Sequence, residues 1–155
     1  MKQFNTLLVV VVMGFFLTTT ASADDADDVK AAIQRYFVAL NSGDAQALAQ
    51  GHLEGFTTFG FAGRLLERVD SLEELRKDQQ ARFDSGLRFN LQDRHIDVSV
   101  YGNSTAVVTS YRVGTVTLPN GNIFRQNNRI TTVLVKQGGQ WKIAHVHDSP
   151  LRGPQ

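Results

Sequence analysis

His145 and His147 stand two residues apart in a segment, Trp141 to Asp148, whose side chains alternate in the manner of a strand. At that spacing two imidazoles project to the same side of a sheet, where they could act as a general acid/base pair. Among apolar neighbours, burial would hold both rings neutral and able to accept a proton. The other reading makes each a core histidine bonded to a neighbour, Thr132 in the case of His145. Tyr111 and Tyr36 could donate phenolic hydrogen bonds to a developing oxyanion, or fill core with their hydroxyls bonded at its edge. An H-x-H pair can also give a metal two ligands. His52 would have to supply the third, and no metal site is expected. The chain contains no cysteine, which excludes disulfides, thiolate nucleophiles, zinc-thiolate sites and iron-sulfur clusters. It has no glycine-rich phosphate loop, nucleophile elbow or H-E-x-x-H run, and no cofactor is expected.

These residues depend on helices at the front of the chain and strands at the back. Asp24, Asp25, Asp27 and Asp28 precede apolar positions at Val29, Ile33, Tyr36, Phe37 and Leu40, whose spacing is one helical face. Asn41-Ser42-Gly43 stops that helix, and Asp44 caps a short second one carrying Leu48, His52 and Leu53. Ser71-Leu72-Glu73-Glu74 has capping-box spacing and predicts a third helix to about Phe83, with Gly86 beyond its end. Between the second and third helices, Phe56, Phe59 and Phe61 suggest a short strand pair and core positions. After Gly86 the period changes to two, and the parity slips around Asp93, which predicts a bulge. Strands are expected over Thr105 to Leu118, Asn122 to Lys136 and Trp141 to Asp148. The fold class is therefore α+β, with helices on one face of a curved antiparallel sheet.

Asn120-Gly121 and Gly138-Gly139 read as two-residue hairpin turns. They would set Arg112 opposite Arg129, Tyr111 opposite Ile130, Thr132 opposite His145, Ile130 opposite His147, Leu134 opposite Ile143, and Arg129 opposite Asp148. In that register Ile96, Val98, Val100, Val107, Tyr111, Val113, Ile130, Leu134, Trp141, Ile143, His145 and His147 face the helices. His95, Asp97, Ser99, Ser110, Arg112, Arg129, Thr131 and Asp148 face outward, with Arg129 and Asp148 as a cross-strand ion pair. No carboxylate then stands on the inward face. Val108, Val133, Ala144 and Val146 would leave the outer face apolar enough to pair with a second copy, so a homodimer is expected.

Lys2, the apolar run Leu7 to Leu17 and the triplet Ala21-Ser22-Ala23 have the order of a secretory signal peptide cleaved after Ala23. The run is too short for a membrane span. The expected domains are a leader over 1–23 and a mature domain over 24–155, secreted or periplasmic and free of the membrane after cleavage. Of 16 basic and 15 acidic residues, cleavage removes Lys2 alone and leaves 15 of each. A neutral chain gives no electrostatic ground for nucleic acid as a partner.

The opening helix with N-S-G-D at 41–44 and the closing run R-I-T-T-V-L-V-K-Q-G-G-Q-W-K-I-A-H-V-H-D-S from Arg129 to Ser149 resemble the nuclear transport factor two-like superfamily in its SnoaL-like branch. The resemblance implies a cone-like sheet wrapped around three helices, enclosing a pocket and commonly dimeric. Relatives include ketosteroid isomerase, polyketide cyclases, scytalone dehydratase and the association domain of calcium/calmodulin-dependent kinases. That association domain shares the ending H-x-H-x-S, here His145, His147 and Ser149. Arg112 matches one of the arginines lining its pocket, while Thr132 and Asp148 fall where others stand. The function expected is binding of a small, largely apolar organic ligand, with isomerase, cyclase or dehydratase chemistry at His145, His147 and Tyr111. Tyr36, His52, Thr132 and Trp141 would touch the ligand. The alternative is a noncatalytic dimerisation module.

Overall fold

Asp44 and Ser71 each start a helix in the computed structural model, which describes residues 23–60 and 65–151. The Asp44 carboxylate accepts from the Ala47 amide at 2.9 Å and the Ser71 hydroxyl from the Glu74 amide at 3.3 Å, satisfying donors that a first turn leaves open. They open α2 (Ala45–Gln50) and α3 (Leu72–Asp84), which follow α1 (Ala23–Ser42). Val29, Ile33, Phe37 and Leu40 form the buried stripe of α1. The expected leader and Phe61 lie outside the described residues, except for Ala23 at the start of α1. Among the described residues no helix is long and apolar enough to cross a membrane.

The described residues include six strands, β1 (His52–Phe59) and β2 (Leu66–Val69) between α2 and α3, then β3 (Arg88–Tyr101), β4 (Thr105–Thr117), β5 (Ile123–Gln137) and β6 (Gln140–Pro150). They form one curved, unclosed sheet in the order β2-β1-β6-β5-β4-β3. The architecture is α+β, with one departure from the expected antiparallel sheet: β1 lies parallel to β6. His52 and Leu53, expected on the second helix, begin β1 instead, because Gly51 closes α2. Phe56 is buried as expected, whereas Phe59 is 40% exposed on the outer face.

The first long hairpin turns through three residues, and this overturns half of the expected facing. Leu118 donates its amide to the Asn122 carbonyl, and the Gly121 amide bonds the Leu118 carbonyl. A two-residue turn would have required Pro119 to donate the amide that proline lacks, so the pairing moves outward to Leu118 and Asn122. Tyr111 therefore pairs with Arg129, and Arg112 with Asn128. Ser110 and Arg112 turn inward, while Tyr111 is 41% exposed on the outer face. The second hairpin turns at Gly138-Gly139 as expected and sets Leu134 opposite Ile143. Beyond that pair β6 carries an extra residue, Ala144, so Val133 meets His145 and Ile130 meets Asp148. The bulge reverses the parity of everything after Ile143. His145 and His147 move outward, and Val146 and Asp148 inward. The bulge expected near Asp93 is present between Arg94 and Asp97, with His95 at φ +52°.

Two contacts fix β3 against its neighbours. Gly114, at φ +142°, lets β4 approach so closely that an added Cβ would collide with the Asn90 carbonyl oxygen. The Asn41 side chain donates to the Leu91 carbonyl at 2.8 Å and accepts from its amide at 3.0 Å, tying the end of α1 to mid-strand. Asn41→Ala should destabilise the fold by about 1–3 kcal/mol, because it strands both backbone groups. Chemical denaturation that found no loss would show that water replaces the clamp.

Candidate functional site

Arg112 rises from β4 into the space between the sheet and α1, where its side chain is 10% exposed. Its Nε donates to Asp93 Oδ1 at 3.1 Å, and its Nη1 lies 3.7 Å from Asp148 Oδ2. The guanidinium also sits over the rings of Phe37 and Tyr36, at 5.0 and 5.7 Å from their centroids. Burial works against its charge, but Tyr36, Asp93 and Asp148 around it outweigh burial and hold its pKa above the usual value. Arg112 is thus a fixed cation shared by two carboxylates.

The two carboxylates differ. The Asp93 side chain is 1% exposed and takes a second hydrogen bond from Ser110 Oγ at 2.8 Å. Asp148 has the looser contact with Arg112 and a bond from Asn128 Nδ2 at 2.6 Å. Burial pushes the Asp148 carboxyl above the ordinary range; Arg112 and Asn128 pull it back only in part, and the charge of Asp93 adds to the rise. Asp93 is the closer partner of Arg112, and Asp148 is the carboxyl that burial makes hold its proton more tightly than it would in water.

A cavity of about 240 Å³ opens beside them. Tyr36 and Leu40 of α1, His52, Phe56 and Thr58 of β1, and Arg112, Gln126, Val146 and Asp148 of the sheet contribute to its lining. Burial pushes the Tyr36 hydroxyl up, keeping it a donor. His52 Nδ1 lies 2.9 Å from the Leu48 carbonyl oxygen. A carbonyl can only accept, so Nδ1 carries the proton and Nε2 is a bare acceptor. Burial lowers the His52 pKa to about 4, with Lys142 adding to the effect. The Gln126 carbonyl oxygen is buried with no donor of its own. The cavity thus joins apolar walls to one carboxyl, one phenol, one neutral imidazole and two guanidinium groups, the buried Arg112 and the Asp78-paired Arg82 of α3.

The sequence-based candidates divide. Tyr36 and His52 line the cavity. Thr132 is buried in the core opposite Val108 and Val146. Trp141 is buried at the other end of β6, with the Lys136 ammonium 5.5 Å from its ring centroid. His145, His147 and Tyr111 stand on the outer face. His145 Nδ1 pairs with Thr57 Oγ1 at 2.8 Å in place of the expected Thr132, and the Phe59 ring packs beside both histidines. Arg129 is exposed opposite Ser149 and makes no pair with Asp148. The expectation of an inward face without carboxylates fails at Asp93 and Asp148. Among the described residues no cluster of histidines and carboxylates could hold a metal ion.

Solved structures with the same fold include a ketosteroid isomerase-like protein from Erwinia carotovora atroseptica, 21% identical, covering 85% of this chain and 100% of its own with a TM-score of 0.70. A candidate dehydratase of the NTF2-like family from Streptomyces avermitilis is 20% identical over 85% of this chain and 100% of its own, with a TM-score of 0.69. A candidate calcium/calmodulin-dependent protein kinase II association domain from Xanthomonas campestris is 19% identical over 82% of this chain and 88% of its own, with a TM-score of 0.66. No curated protein matches the chain. The family model of the SnoaL-like domain matches residues 29–153, which takes in all six strands and most of α1, and the chain belongs to that family.

Proposed function

We propose that this protein takes a small, largely apolar organic ligand into the cone and moves a proton on it, in isomerase, cyclase or dehydratase chemistry. The observation that carries this reading is Asp148: a buried carboxyl with a raised pKa on a cavity wall, oriented by Asn128 and offset from a fixed guanidinium. A carboxyl so held can deliver a proton to a carbonyl or hydroxyl oxygen. His52 Nε2 and Gln126 Oε1 offer acceptors, and Tyr36 offers a donor. The apolar walls hold the body of the ligand and strengthen each polar contact by excluding water.

Export by the leader and pairing of two copies through the outer sheet face complete the proposal. The second is supported by Phe59 and Tyr111, 40% and 41% exposed on that face. Mass spectrometry of the protein purified from its native compartment should recover a bound organic molecule. Thr58→Trp, which fills the cavity from β1, should lose it. If the filled variant retained the molecule in full, the ligand would lie elsewhere.

A further inference from the structure

Tyr36 also lines a second, larger cavity, of about 780 Å³, whose other walls come from α1, the end of α2 and the start of β6. Among the described residues no acidic side chain lines it, and two cations do, Arg35 and Lys142. Arg35 is exposed and takes part in none of the ion pairs among the described residues. Lys142 donates to the Gln50 carbonyl and, among the described residues, makes no ion pair with a carboxylate. Trp141 and Ile143 are each 4% exposed and give apolar wall, and the Trp141 indole N–H is buried without an acceptor. Such a cavity presents donors and positive charge at one part and apolar surface at another.

We propose that this second cavity binds an organic carboxylate with an apolar body, its headgroup between Arg35 and Lys142 and its body against Trp141 and Ile143. A guanidinium that is not committed to any carboxylate of the chain can take one from a ligand with two parallel hydrogen bonds. A phosphate fits less well. The end of α2 turned toward the cavity is its carbonyl end, at Gln50, and already occupies part of the Lys142 charge. The site shares only the Tyr36 wall with the Asp148 cavity, and the proposal does not rest on the function assigned there.

Trp141 is the sole tryptophan of the chain, so its fluorescence reports on this cavity. Octanoate should change that emission saturably, while octanol at equal concentration should bind at least about tenfold more weakly. Arg35→Glu with Lys142→Glu should weaken octanoate at least about tenfold, and Asp148→Asn should leave it unchanged. Arg35→Glu alone, at an exposed position, gives the same direction if the double variant melts early. Equal responses to octanoate and octanol would overturn the proposal by reducing the cavity to an apolar groove. Displacement of octanoate by inorganic phosphate would overturn it in favour of a simple anion site. Loss of octanoate binding in Asp148→Asn would assign the carboxylate to the other cavity. No saturable response in the wild-type protein would remove the site altogether.

Discussion

Arg112→Met should lower the unfolding free energy by about 3–5 kcal/mol, the scale set by a buried charge left without its partner. Methionine fills much of the same space, so the loss is electrostatic rather than a cavity effect. Asp93, with a side chain only 1% exposed, would keep its bond from Ser110 but lose its cation. Asp148 would lose its counter-charge as well. The rings of Phe37 and Tyr36 would meet a thioether instead of a guanidinium. Adding Asp93→Asn should recover part of the loss, because one orphaned charge is then removed. Urea denaturation of the wild-type protein, the two single variants Arg112→Met and Asp93→Asn, and the double variant measures the coupling. An Arg112→Met variant as stable as the wild type would mean that the carboxylates are solvated, and the cluster could not then poise Asp148.

The elements were legible in the sequence because their signals are local. The caps at Asp44 and Ser71, the glycines at 138 and 139, and the parity slip near Asp93 each act within a few residues. All four are found where the pattern puts them. The site was less legible, because strand facing is a sum over every residue between a turn and the side chain in question. One residue more in the Pro119 loop and one more at Ala144 were enough to exchange Arg112 and Asp148 with Tyr111, His145 and His147. Pro119 carried a readable signal: a residue with no amide hydrogen cannot close the two-residue turn that Asn120-Gly121 suggests. Ala144 carried none, since nothing in Ile143-Ala144-His145 marks a bulge from sequence. The helix-borne Tyr36 was unaffected by these slips and lies on the core-facing stripe of α1, where the helical spacing puts it. The rule that buried strand positions are apolar also failed here. β4 and β5 bury Ser110, Arg112, Gln126 and Asn128, whose polar groups donate to Asp93 and Asp148 or, for Gln126, line the cavity.

Asp148→Asn should reduce turnover of the recovered ligand by about 10²–10⁴-fold while leaving the protein at least as stable at pH 7. The amide keeps the shape of the carboxyl, and its oxygen can still accept from Asn128. It cannot donate or take a proton at the acidity the reaction needs. The stability half of the expectation follows from the direction of the Asp148 shift. A carboxyl whose folded pKa is raised binds its proton more tightly in the folded state. Its contribution is therefore fully present below the unfolded pKa and is lost as the pH rises through the folded one. Above that window the wild-type protein holds an ionised carboxylate at a cost that the neutral amide does not carry. Melting temperatures of the two proteins should differ least in acid and should separate in favour of the variant as the pH climbs from the ordinary carboxylate range through the raised value. Deuterium exchange from solvent into the ligand reads the proton transfer in parallel. A variant that melted lower than wild type at every pH while still exchanging deuterium would make Asp148 a structural partner of Arg112 and remove it from the chemistry.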